Sequence, residues 1–192
     1  MKLSDRDILQ RIAEQSIEIE PAENVRFGPV SIDLTLDDRF LYFKHEQISV
    51  IDVDKGLGGK GLGDKDPMTE YAVPTGDAFI LQPKAFALGA TRERVKIPDD
   101  LVGWLDGRSS LARIGLMVHA TAHTLEPGWN GVITLEFFNA GNVALALRPG
   151  MRVCAVSFEP LTSPALNPYD RKEGAKYVNQ SGPVASRVGS DT

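Results

Sequence analysis

Val132-Ile133-Thr134-Leu135-Glu136-Phe137-Phe138 decides how this chain is read. Along a β-strand successive side chains point to opposite faces, so Ile133, Leu135 and Phe137 pack inward together. Val132, Thr134, Glu136 and Phe138 then share the other face, and Glu136 has apolar neighbours on its own side. Desolvation disfavours the charged form of a carboxylic acid, which suits such a group to general acid/base work. A strand carboxylate more commonly ends at a wet edge or beside an arginine, and the residues alone leave both readings open.

The same period of two recurs outward from this stretch. Ile32, Leu34 and Leu36 alternate with Ser31, Asp33 and Thr35. Further short strands are expected at residues 48–53, 78–81, 86–91, 115–120, 144–147 and 151–158. Turn signals separate them: Pro83-Lys84, Pro98-Asp99-Asp100, Pro127-Gly128 and Pro149-Gly150. Many short strands at such spacing predict a mainly β sandwich or barrel-like domain over 1–192. Two short helices interrupt it. One is capped by Ser4, with Asp7 completing a capping box and Ile8, Ile12 and Ala13 on one face. The other is expected at 110–114.

Bulk properties narrow the function. The 192 residues are 42% hydrophobic and 24% charged, a globular composition of single-domain size. A net charge of −5 argues against broad nucleic-acid binding, which needs a basic face. Any anionic ligand must be gripped by a few placed cations. The lone cysteine, Cys154, lies in the apolar run Val153-Cys154-Ala155-Val156 and reads as a buried structural thiol. No apolar run is long enough to span a bilayer, and the protein is expected in the cytoplasm, away from membranes. Lys55 to Pro67 is a Gly-, Asp- and Lys-rich excursion, and the polar tail over 163–192 is expected to be a flexible lid.

Several motifs are weighed for chemistry. Gly56-x-Gly58-x-x-Gly61 matches the dinucleotide fingerprint in letters, but Gly63 and Pro67 stand where its helix should begin. Gly59-Lys60 lacks the rest of a phosphate-binding P-loop. His119 and His123 carry neither a His-Glu-x-x-His pattern nor the Pro-Cys-x-x-Cys of zinc nucleobase deaminases, so they read as structural histidines. Arg108-Ser109-Ser110-Leu111-Ala112-Arg113 is stronger: a tight turn at Asp106-Gly107 leads into a helical turn flanked by two guanidinium groups, fit to grip an anion. A capped helix with solvated arginines is the plainer alternative.

These residues carry a family resemblance. Gly107 to Arg113, Thr121-Ala122-His123, Pro127-Gly128-Trp129, Leu135-Glu136 and Leu147-Arg148-Pro149-Gly150-Met151 are similar to dCTP deaminases. Leu3 to Ile8, Ser31 to Leu34, Pro168-Tyr169, Ala175-Lys176-Tyr177 and Asn179-Gln180 extend the match to nearly the whole chain. The resemblance implies a β-clip fold shared with dUTP diphosphatases, a distorted barrel or jelly roll assembled as a homotrimer with sites between subunits. It implies hydrolysis of dCTP to dUTP and ammonia, with Mg²⁺ carried on the triphosphate, no zinc, and dTTP as a possible feedback inhibitor.

It also assigns residues. Glu136 moves protons, Ser109 and the carbonyl of Ala122 hold the attacking water, and Arg113 polarises the region. Arg108, Ser109 and Ser110 face the triphosphate, and Tyr169, Lys176 and Gln180 close from the tail. Leu111, Ala112, Thr134 and Leu135 complete the substrate-binding set. Glu126 stands near the deoxyribose, where the family pattern has an aspartate. Two alternatives stay in view: a bifunctional enzyme giving dUMP and pyrophosphate, and a silent nucleotide-binding regulator.

Overall fold

The fold is given by a computed structural model that describes residues 1–23, 25–43, 50–54 and 67–188. Helix α1 (Asp5–Ala13) starts where the capping box places it. The Asp7 carboxylate accepts the Ser4 N–H at 3.1 Å, and the Ser4 hydroxyl caps the Asp7 N–H. Ile8 on this helix is fully buried, while Ala13 faces solvent.

The rest is β-structure. In chain order come β1 (Glu18–Glu20), β2 (Arg26–Phe27), β3 (Ile32–Thr35), β4 (Arg39–Phe43), β5 (Met68–Ala72), β6 (Phe79–Leu81) and β7 (Phe86–Lys96). Next are β8 (Leu101–Gly107), the helical turn α2 (Ser109–Ala112), β9 (Leu116–Met117), β10 (Thr124–Leu125), β11 (Asn130–Asn139), β12 (Leu145–Leu147) and β13 (Arg152–Pro160). One antiparallel sheet runs β5-β4-β7-β11-β9, with β1 also paired to β7. A second runs β10-β8-β13-β3-β2, and β12 with β6 makes a small third.

Residues from both large sheets meet in one core. Phe40 stacks on Phe79 at 4.2 Å between ring centroids and touches Phe137 at 6.0 Å. Along β11 the expected alternation is present: Ile133, Leu135 and Phe137 are buried, and Thr134 and Glu136 are half-buried on the opposite face. The mainly β expectation holds, including Cys154, which is fully buried. Its thiol pKa is raised well above the ordinary range, first by desolvation and then by the negative charges of Glu93 and Asp33.

The differences are local. Of the strand expected at 48–53, residues 50–53 belong to no strand, and Val50 and Val53 are largely exposed. Residues 48 and 49 and the excursion over 55–66, with its Gly56-x-Gly58-x-x-Gly61 run, lie outside the described residues. The second helix is a four-residue turn over Ser109–Ala112 rather than 110–114, and Gly115, at φ +92° three residues beyond it, packs against Gly141. Strand β7 continues five residues past the expected end at Thr91, because a bulge at Thr91–Glu93 lets its pairing resume at Arg94.

Candidate active site

A cleft of about 540 Å³ opens beside β11. Glu136, Thr134 and Ile133 come from that strand; Ala122, His123 and Thr124 come from the segment before and within β10. Trp129, Tyr177, Gln180 and Ser186 close it from the turn after β10 and from the tail. The cleft therefore unites four residues named from the sequence: Ala122, Thr134, Glu136 and Gln180.

Glu136 is held at both its main chain and its head. Its N–H donates to the Val118 carbonyl at 2.9 Å, and its Oε2 accepts the Ala120 N–H at 2.7 Å. A carboxylate that accepts a main-chain amide is fixed in direction. Two other polar atoms in the cleft are buried without a protein hydrogen-bond partner: Thr134 Oγ1 and Gln180 Oε1. Buried polar groups are nearly always paired, so these two atoms stand out in the cleft wall. Gln180 keeps its own orientation, since its Nε2 donates to the Val132 carbonyl at 2.7 Å.

Tail residues 161–188 lie against the body rather than away from it. Val132 N–H donates to Gln180 O at 3.1 Å, Asn179 N–H to Asn130 O at 2.8 Å, and Tyr169 N–H to Pro127 O at 2.7 Å. Two glycines make this close approach possible. A Cβ on Gly128 (φ +81°) would meet Pro168 Cβ at 2.9 Å, and one on Gly131 would meet Gln180 N at 3.1 Å. Tyr169 stacks on Trp129 with centroids 5.7 Å apart, and its hydroxyl accepts the Tyr177 N–H at 3.1 Å.

The other named residues stand outside the cleft wall. Arg108 is turned back onto its own chain: Nη2 lies 3.4 Å from Asp33 Oδ2, and Nη1 donates to the Arg152 carbonyl at 3.2 Å. Ser109, Ser110, Ala112 and Arg113 are exposed, and Leu111 is half-buried against the core. Among the described residues the Arg113 side chain makes no hydrogen bond or ion pair. Leu135 is fully buried on the inner face, so its side chain belongs to the core. Glu126 is exposed and pairs with Lys172 at 3.4 Å, and Lys176 is a half-buried residue of the tail.

Sequence reasoning missed several partners. Asp33 and the Arg152 carbonyl, which hold Arg108, come from strands read only as core; the register of β3 with β13 is what brings them together. His123, read as structural, lines the cleft between Trp104 and His119, at centroid distances of 5.5 and 5.3 Å. His119 Nδ1 is buried without a hydrogen-bond partner among the described residues. Among the described residues no three of His, Cys, Asp and Glu gather as metal ligands, and no helix is long and apolar enough to cross a membrane.

Comparison with known proteins places the chain in a family. The profile of the dCTP deaminase-like family matches residues 2–161. A dCTP deaminase of Rhodospirillum rubrum is 51% identical over 192 residues, covering 100% of this chain and 98% of that protein. The crystal structure of 2′-deoxycytidine 5′-triphosphate deaminase from Agrobacterium tumefaciens superposes with a TM-score of 0.60 at 18% identity, a likeness of fold. That alignment covers 83% of this chain and 48% of the other, so the chain spans about half its length. The native dUTPase of EIAV aligns at a TM-score of 0.49 and 13% identity, over 78% of this chain and 92% of that one. With its profile match over most of the length and a relative of such identity, the chain belongs to the dCTP deaminase-like family.

Proposed function

We propose that this protein deaminates dCTP, as its magnesium complex, to dUTP and ammonia. The observation that carries the reading is Glu136: a half-buried carboxylate in the wall of a cleft, aimed by a main-chain amide, beside two unpaired buried polar atoms. The identity of 51% to a dCTP deaminase over the full chain supports the choice of substrate.

Glu136 takes a proton from a water, and the hydroxide adds to C4 of the cytosine ring. The proton passes to N3; Glu136 then carries the proton of the new C4 hydroxyl to the amine, which leaves as ammonia while C4 becomes the carbonyl of uracil. The balance is dCTP + H₂O → dUTP + NH₃. Proton transfer by a positioned carboxyl group contributes about 10²- to 10⁴-fold to such a step. The Ala122 carbonyl and the Ser109 hydroxyl position the water, and Arg113 polarises the region. Thr134 and Gln180 offer their unpaired oxygens to the base. Arg108, Ser109 and Ser110 receive the triphosphate, with Tyr169, Lys176 and Gln180 closing over it as a lid. No zinc enters this scheme.

Because Ser109, Ser110 and Arg113 are displayed outside the cleft wall of their own chain, we assign them to the cleft of a neighbouring subunit in a cyclic trimer. We also propose that the reaction runs in the cytoplasm, with dTTP as its feedback inhibitor.

The test incubates the purified protein with dCTP and Mg²⁺, measures ammonia, and resolves the nucleotides by anion exchange. Accumulating dUTP with stoichiometric ammonia is the expected result. Ammonia with dUMP and pyrophosphate would replace it by the bifunctional reaction. Nucleotide binding without ammonia would leave only a regulator and refute the role of Glu136.

A further inference from the structure

Glu93 lies outside the scheme above, yet it is 1% exposed and carries a carboxylate between the two large sheets. Its partner is one residue of β3. Thr35 donates its N–H to Oε2 at 2.8 Å and its hydroxyl to Oε1 at 2.6 Å. Burying a carboxylate is costly unless its oxygens are satisfied, so this contact is a constraint the fold must keep.

Strand pairing is irregular at both ends of this contact, on β7 itself and on the β13 partner of β3. On β7, Arg94 faces Val132 but Ala90 faces Thr134, so Ile133 alone stands opposite Thr91, Arg92 and Glu93. The Thr91 hydroxyl fastens this bulge, accepting the Ile133 N–H at 2.9 Å and donating to the Glu93 carbonyl at 2.7 Å. Without the bulge, Thr134 would pair with Arg92. The segment carrying Thr134 and Glu136 is therefore displaced two residues along β7, roughly 7 Å at strand spacing.

The second irregularity is on β13. Its register to β3 shifts between Arg152 and Cys154, opposite Thr35, and the Arg152 carbonyl there accepts Arg108. Glu93 and Thr35 thus tie together the bulge that sets Glu136 and the bulge that seats Arg108.

We infer that Glu93 is a positioning residue for the reaction: through Thr35 it locks the bulge that places Thr134 and Glu136 in the cleft wall. The inference rests on the deaminase reading of Glu136 given above. A carboxylate suits the post because it accepts at both oxygens, where glutamine offers one acceptor and one donor to the same two groups.

The test uses full-length Glu93→Gln, Thr35→Val and Thr35→Ser. Ammonia release gives kcat per folded molecule, the folded fraction coming from circular dichroism, and amide hydrogen exchange is followed over residues 131–138. Glu93→Gln and Thr35→Val are expected to lower kcat per folded molecule by about tenfold to a hundredfold, the scale of an ångström's misplacement, and to speed exchange in that segment. Thr35→Ser, which keeps the hydroxyl, recovers most of the kcat lost in Thr35→Val.

A lower melting temperature with unchanged kcat per folded molecule would reduce Glu93 to a stabilising residue and overturn the inference. Should Thr35→Val not fold, Glu93→Gln, equal in size, is judged by the same criteria. Exchange is read without substrate, so the two claims fail separately. A wild-type protein that releases no ammonia overturns the deaminase reading, while unchanged exchange in both variants overturns the role of Glu93.

Discussion

Glu136 and Arg113 belong to one proposed reaction, yet the fold treats them in opposite ways. The glutamate sits on a ten-residue strand paired on both sides, with its main chain and its carboxylate each hydrogen-bonded. The arginine follows a four-residue helical turn, is exposed, and among the described residues touches no ionic partner. A group that moves protons must be placed before substrate arrives, and a strand does this well. A group displayed on a surface turn completes a site only when another surface meets it. One half of the proposed site is thus built within the chain, and the other half is offered outward.

The largest expected effect strikes the built half. Glu136→Gln should keep the fold and nucleotide binding and lose about 10²- to 10⁴-fold or more in kcat. Steady-state ammonia release with a parallel binding titration checks this, and a kcat within tenfold of wild type would break the comparison. Next comes Arg113→Ala on the displayed half, expected to lower kcat/KM about a hundredfold with no loss of melting temperature, since the side chain makes no hydrogen bond or ion pair among the described residues. A fall in melting temperature of the separated chain would show that Arg113 serves its own fold.

A smaller effect is expected at the lid. Gln180→Ala removes the unpaired oxygen facing the cleft and the contact to Val132, and should raise KM for dCTP about tenfold with kcat less affected. The smallest concerns pH. The Ser4 hydroxyl and amide hold the Asp7 carboxyl below its ordinary value. A depressed carboxyl pKa contributes stability above the unfolded value, lost as pH falls through the folded value. Ser4→Ala should thus lower the melting temperature slightly at neutral pH, with the difference shrinking, but not vanishing, below that depressed value, because the hydroxyl also accepts the Asp7 N–H whatever the charge. A difference that does not change with pH would show that the Asp7 charge takes no part in the cap.

How far the sequence could be read follows the same division. The alternation in β11, the capping box of α1 and the burial of Cys154 are local or strictly periodic, so residues alone reveal them. The pairing of Arg108 with Asp33 and of Glu93 with Thr35 joins residues 75 and 58 positions apart, through bulges that no alternation announces. Of the strand expected at 48–53, the described residues 50–53 lie in no strand, because β-branched apolar residues favour a strand only where tertiary pairing takes them up. Resemblance supplied Tyr169, Lys176 and Gln180; only the structure shows that the tail reaches Gln180 into the cleft by way of Gly128 and Gly131.

The most direct test of the divided site mixes Glu136→Gln subunits with Arg113→Ala subunits, each inactive alone, and reassembles them at equal concentration. If a cleft from one subunit is completed by the helical turn of the next, random trimers regain roughly a quarter of the wild-type ammonia release, because both intact halves meet in about one site in four. Mixed assemblies that form by native mass spectrometry and remain inactive would contradict the account.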